Sequence, residues 1–101
     1  MSRRLRIAFH ARAEADAAKI EAWWKVNRPA APDLFLNELE RALDAIARSP
    51  MLGASASGEQ FPGARRVLMR RTRYHVYYRV TGDTVEVLAV WHGARGSGPE
   101  L

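Results

Sequence analysis

Six arginines and no carboxylate occur between Gln60 and Gly82: Arg65, Arg66, Arg70, Arg71, Arg73 and Arg79. A guanidinium makes forked, planar contacts to phosphate or carboxylate, which a lysine ammonium cannot. An arginine block of this kind suits an anionic partner, either a nucleic acid or an acidic protein. A merely solvated basic edge has the same composition, and composition alone does not separate the two. His75, Tyr77 and His92 lie within or just beyond the block. They add an imidazole able to move protons at neutral pH and a phenol ring able to stack on a base. His10, His75 and His92 do not have the spacing of metal ligands, and cysteine is absent. No zinc site and no disulfide framework is therefore expected. There is no glycine-rich phosphate loop and no serine–histidine–aspartate pattern, so no cofactor is expected either.

The elements that must hold these groups are two strands, Arg73–Val80 and Thr84–His92, joined by a two-residue turn at Gly82-Asp83 with glycine first. If Thr81 faces Thr84, regular pairing puts Val80 opposite Val85, Arg79 opposite Glu86, His75 opposite Val90 and Arg73 opposite His92. One face then carries Tyr74, Val76, Tyr78, Val80, Val85, Val87, Ala89 and Trp91, all apolar or aromatic, and must pack on helices. The other face carries Arg73, His75, Tyr77, Arg79, Glu86, Leu88, Val90 and His92. Arg66, Leu68 and Arg70, from a strand expected over Arg66–Arg70, extend that working surface. A half-exposed sheet face is also polar simply because it is wet, so His75 and Tyr77 keep a plain structural reading.

Upstream, Leu5–Phe9 alternates and predicts a short strand. Ala13, Ala17, Ile20 and Trp24 form one helical stripe, closed by Asn27 ahead of Arg28-Pro29. Trp24 belongs to that stripe, and Trp23 sits on its edge. A second helix is expected to begin near Ala30–Pro32, to bury Phe35, Leu39, Leu43 and Ile46, and to stop at Ser49-Pro50. The short connection implies an antiparallel helical hairpin. Met51–Ala64 reads as a long loop, either functional or a permissive connection. Residues 93–101 read as a flexible tail. The expected architecture is α+β: one domain over residues 1–101, with a helical hairpin on one face of a small, mostly antiparallel four-stranded sheet in the order β-α-α-β-β-β.

The totals bound the function class. With 16 basic and 11 acidic residues the net charge is +5, and 48% of the chain is hydrophobic, which argues against a disordered polyelectrolyte. The longest apolar run is Val87–Trp91, too short to span a bilayer, and the N-terminus lacks the apolar segment of a secretory signal. No membrane association is expected, and a cytoplasmic location is.

These residues, in this order, resemble the RelE/ParE superfamily of type II toxin–antitoxin toxins. The likeness covers nearly the whole chain. It runs through Ala13-Glu-Ala-Asp16 with Ile20 and Trp23-Trp24, then Pro29-Ala-Ala31 leading to Phe35 and Leu39. It continues through Ile46 with Pro50 and Gly53, Arg65-Arg66-Val-Leu68, Tyr74-His-Val-Tyr-Tyr78-Arg-Val80 and Val87-Leu-Ala-Val-Trp-His92. The resemblance implies a toxin neutralised by an acidic antitoxin in a hetero-oligomer, the antitoxin partly disordered alone and folding onto the basic surface.

The resemblance implies one of two mechanisms. RelE-like members cut messenger RNA on the ribosome without a metal. In that case Arg66 (or Arg65), Arg73 and His92 would be catalytic, with arginines on phosphate, His92 as acid or base and Tyr77 stacking a base. ParE-like members bind and poison DNA gyrase. On either reading the binding surface is expected to include Arg65, Arg70, Arg71, His75, Tyr77 and Arg95. Lysine is absent beyond Lys25, Gly93-Ala94-Arg95 follows His92 where a terminal tyrosine would be expected, and Glu59 is the sole loop glutamate. These departures put the ParE-like reading ahead. An inactive relic that only binds antitoxin is the third reading.

Overall fold

The computed structural model describes residues 4–93 and 98–99. The first strand, β1 (Arg6–Phe9), alternates exposed Arg6 and Ala8 with half-buried Ile7 and Phe9. Helix α1 (Ala11–Asn27) buries Ala13 and Trp24 of the anticipated stripe. It ends where expected: the Arg28 amide donates to the Trp24 carbonyl at 2.8 Å and the Asn27 side chain donates to the Trp23 carbonyl at 2.9 Å. Helix α2 (Leu34–Arg48) starts later than the sequence suggests. Ala31 and Leu34 donate to Arg28 and Ala31 in successive tight turns, so Pro32 sits in the connection and not in the first helical turn. Phe35, Leu39, Leu43 and Ile46 are buried as anticipated.

Among the described residues the sheet has five strands, not four, because the loop after α2 contributes β2 (Ala54–Ser55). Two residues are too few to show any alternation, so no periodic signal marks this strand. Strands β3 (Arg65–Leu68), β4 (Tyr74–Thr81) and β5 (Thr84–His92) complete the order β1-β5-β4-β3-β2. The β1–β5 pair is parallel and the other pairs are antiparallel. Both helices lie on one face. Val76, Tyr78, Val85, Val87 and Val90 pack there with Phe35, Ile46 and Trp24.

The corner at Gly82 is as anticipated, with Gly82 at φ 61°, which a side chain would disfavour. Val80 opposes Val85 and Arg79 opposes Glu86. The register then changes. Tyr78 opposes Val87 but Tyr77 opposes Ala89, so Leu88 is an extra residue, a β-bulge. Beyond it every pairing differs from the regular expectation: His75 faces Trp91, Val76 faces Val90 and Tyr74 faces His92. Val90 therefore enters the helix-side core, while Ala89 and Trp91 join the opposite face. One inserted residue reverses the side-chain parity of everything after it. The greasy-versus-cationic sorting holds only on the turn side of the bulge.

The opposite face is not uniformly wet. Ala64, Tyr77, Leu88 and Ala89 form a second small cluster, with Ala56, Phe61 and Trp91 packed on it. The loop of residues 56–64 covers this cluster, so it is more than a permissive connection. Where β1 stops beside Val87, the Asp16 carboxylate accepts the Val90 amide at 3.0 Å and so terminates the exposed edge of β5. Among the described residues no helix is long and apolar enough to cross a membrane.

Candidate functional site

The sheet face away from the helices presents Arg66 and Leu68 from β3, and His75, Tyr77 and Arg79 from β4. Arg66 lies opposite Tyr77 and Leu68 opposite His75. Arg66 is exposed. His75 is half-buried; burial, and secondarily the positive charge of Arg66, hold its imidazole below the ordinary histidine value. A neutral imidazole near pH 7 can accept a proton. The His75 and Tyr77 ring centroids are 6.0 Å apart.

At one end of this face a cavity of about 370 Å³ is lined by Leu68, Arg73, His75, His92 and Gly93. The structure thus brings Arg73, His75 and His92 around one space, although the expected pairing of Arg73 with His92 does not occur. Arg73 precedes β4 in a left-handed conformation, φ 69°. Its amide donates to the Met69 carbonyl and its carbonyl accepts the Gly93 amide, each at 2.8 Å. His92, shifted by the bulge, packs edge-on against Tyr74 with centroids 4.8 Å apart.

Two expected binding residues do other work, and so does Arg79 on the same face. Tyr77 is 3% exposed inside the second cluster, so it offers no open ring for a base to stack on. Arg65 is half-buried and donates to the Gly53 carbonyl at 2.7 Å, tying β3 to the loop before β2. Arg79 is held by Glu86 at 2.9 Å and lies over the Phe61 ring at 4.9 Å. Arg70 and Arg71 are exposed on the β3–β4 turn, apart from the cavity described above. Arg95 lies outside the described residues.

Sequence reasoning placed Glu86 only as the partner of Arg79 and missed Glu38 altogether. Glu86 accepts from Arg79 (2.9 Å) and Thr81 (2.6 Å) and pairs with His10 at 2.9 Å. The hydrogen bonds from Thr81 and His10 come first among the influences that pull its carboxyl down to about 2. Glu38 on α2 accepts the Arg71 and Thr72 amides and the Thr72 hydroxyl, at 2.8, 2.9 and 2.6 Å. Burial alone would raise the Glu38 carboxyl, but the Thr72 and Arg71 hydrogen bonds bring it below its ordinary value. The His10 contact of Glu86 and the Arg71 and Thr72 contacts of Glu38 reach far along the chain, and no local spacing announces them. Among the described residues no cluster of three histidine, aspartate or glutamate side chains is placed to hold a metal ion.

A helical hairpin laid on one face of a mixed sheet is a fold shared with known toxins. The chain superposes on the chromosomal ParDE toxin–antitoxin system of P. aeruginosa with a TM-score of 0.70, at 18% identity, over 87% of this chain and 95% of that one. It is 31% identical over 93 residues to toxin ParE2 of Mycobacterium tuberculosis, covering 92% of this chain and 84% of the relative. It is 30% identical over 84 residues to toxin RelE1 of Caulobacter vibrioides, covering 81% and 86%. The family described as "ParE toxin of type II toxin-antitoxin system, parDE" matches residues 7–96. The chain belongs to this ParE toxin family, within the RelE/ParE superfamily.

Proposed function

We propose that this toxin, neutralised by a cognate antitoxin, arrests growth by binding and poisoning DNA gyrase rather than by cutting RNA. The observation that carries the reading is the occupied outer face. The tyrosine expected to stack a base is buried with Ala64, Leu88 and Ala89 and has Gly98 close to its hydroxyl, and the Glu86 carboxylate is engaged by Arg79, Thr81 and His10. A face arranged in this way lacks the open stacking platform and the free carboxylate base that transesterification of RNA would use. The match to the ParE family model supports the same direction. Purified protein is expected to inhibit gyrase supercoiling and to trap cleaved DNA. Untouched supercoiling together with no trapped cleavage would end this reading.

A second reading rests on the Arg73–His75–His92 cavity. The His75 imidazole could take the proton of a 2′-hydroxyl and return it to the leaving 5′-oxygen while Arg73 holds the phosphate. Transcript cleavage in cells expressing the protein, abolished by His75→Ala, would establish it. Intact transcripts during growth arrest would remove it.

A further inference from the structure

We infer that the cleft between the end of α1 and the β3–β4 turn binds a mononucleotide, with its base against Trp23 and its phosphate between Arg28 and Arg71. The cleft encloses about 310 Å³. Trp23 and Trp24 reach it from α1, Arg28 from just beyond that helix, and Arg71 from the turn; Tyr74 and His92 line it as well. It is distinct from the Arg73–His75–His92 cavity, with which it shares His92. The inference goes beyond the gyrase reading and does not rest on it.

Two guanidiniums come to one space from residues far apart in the chain. The Arg28 guanidinium lies 5.3 Å from the Trp23 ring centre and 6.0 Å from that of Trp24, and it donates to the Asn27 carbonyl at 3.1 Å. Indole contact and a neutral acceptor hold that charge in place without neutralising it. Arg71 is fixed through its main chain: its amide donates to the Glu38 carboxylate at 2.8 Å, and the residue stays exposed. Glu38 also accepts the Thr72 amide and hydroxyl, so its oxygens are already engaged. Among the described residues no carboxylate lines the cleft. Like charges held this way repel, and an anion seated between them turns repulsion into attraction. Phosphate suits the site because guanidinium meets it in a forked geometry.

The aromatic side of the cleft selects what the phosphate is attached to. Trp23 is 45% exposed, and its ring meets that of Trp24 at 71° with centroids 5.9 Å apart, a corner rather than a stack. A half-exposed indole is a platform for a nucleobase, whatever the base. A simple anion would leave this ring in water, and a neutral aromatic would leave the guanidiniums unpaired. A nucleotide satisfies both. The volume sits at the small end of the range for small-molecule pockets, about 300–1,000 Å³, and suits one nucleotide.

The test titrates the full chain with adenosine 5′-monophosphate, adenosine and inorganic phosphate, by calorimetry and by NMR of the indole N–H groups. The nucleotide is expected to bind about tenfold or more tightly than either fragment, and high salt should weaken it. The Trp23 indole signal should move, while that of Trp91, which does not line the cleft, should stay. Arg28→Ala and Arg71→Ala should each weaken nucleotide binding about tenfold, and Arg28→Lys, which keeps the charge without the planar fork, should fall between. Arg70→Ala removes an exposed arginine of the same turn that does not line the cleft, and should leave affinity within about twofold. All three arginines are exposed, so these variants should keep thermal midpoints close to wild type. Absence of nucleotide binding, or wild-type affinity in both alanine variants, overturns the site. Inorganic phosphate binding as tightly as the nucleotide overturns the ligand, because the rings then contribute nothing. So does tighter binding of a ten-residue oligoadenylate, which would make the cleft part of a nucleic-acid surface. None of these readouts depends on toxicity or on gyrase, so this inference and the proposed function fail separately.

Discussion

His92 faces Tyr74 across the β4–β5 ladder, its ring 4.8 Å from the tyrosine ring and nearly perpendicular to it. Regular pairing from the Gly82 turn would instead have set His92 against Arg73. The displacement comes from Leu88, the unpaired residue of the bulge, whose side chain is 2% exposed in the outer cluster.

Deleting Leu88 would remove the bulge and leave Ala89, Val90 and Trp91 in their present pairings, so its cost is the loss of one buried leucine from the outer cluster. The deletion variant and Leu88→Ala, which keeps the bulge, should each cost about 2–4 kcal/mol. Urea titrations of both variants check this, and variants as stable as wild type would contradict the role given to Leu88.

The Tyr78 hydroxyl donates to the Pro50 carbonyl at 2.8 Å and accepts the Gly53 amide at 2.9 Å. A Cβ on Gly53 would stand 2.7 Å from that hydroxyl and 2.9 Å from the Arg66 carbonyl. Gly53→Ala is expected to destabilise by about 1–3 kcal/mol through overpacking. Tyr78→Phe should cost about 1–3 kcal/mol by leaving both loop groups without their partner. Because the two changes act on one contact, the double variant should cost less than their sum.

Glu86 is pulled down to about 2 in the folded protein, below its ordinary value of 4.5. A carboxyl lowered on folding contributes stability above its unfolded value and loses it as pH falls through the folded one. Part of the acid-side loss of stability between about pH 4.5 and 2 should therefore vanish in Glu86→Gln. At pH 7 that variant should be less stable by about 1–2 kcal/mol. Urea titrations across this range measure both effects, and an unchanged pH slope in the variant would count against the network.

Arg73 holds a left-handed backbone at φ 69°. The conformation costs an L-residue about 1–2 kcal/mol, partly offset by the greater freedom of glycine in the unfolded chain. Arg73→Gly is expected to be stabilising by about 0.5–1 kcal/mol, and Arg73→Ala to give no gain. If the Arg73–His75–His92 cavity is the working site, both variants should lose toxicity alike. Retained toxicity in both would place the site elsewhere.

The hydrophobic stripes of the two helices, the helix stop at Arg28-Pro29, the Gly82 corner and the opposed charges of Arg79 and Glu86 are local facts, and the chain states them at spacings of a few residues. They were legible because helix and hairpin periods are short-range geometry. The α+β architecture and the arginine block followed directly from them.

The bulge, the two-residue β2, the covering of Tyr77 and the anchoring of residues 71–72 by Glu38 were decided only in three dimensions. Each depends on groups separated by tens of residues competing for one buried space or one set of hydrogen bonds. Val90 and Trp91 are both apolar and adjacent, so their order alone does not say which enters the core. Packing against the helices chose Val90, and that choice carried His92 away from the face on which simple alternation had placed it.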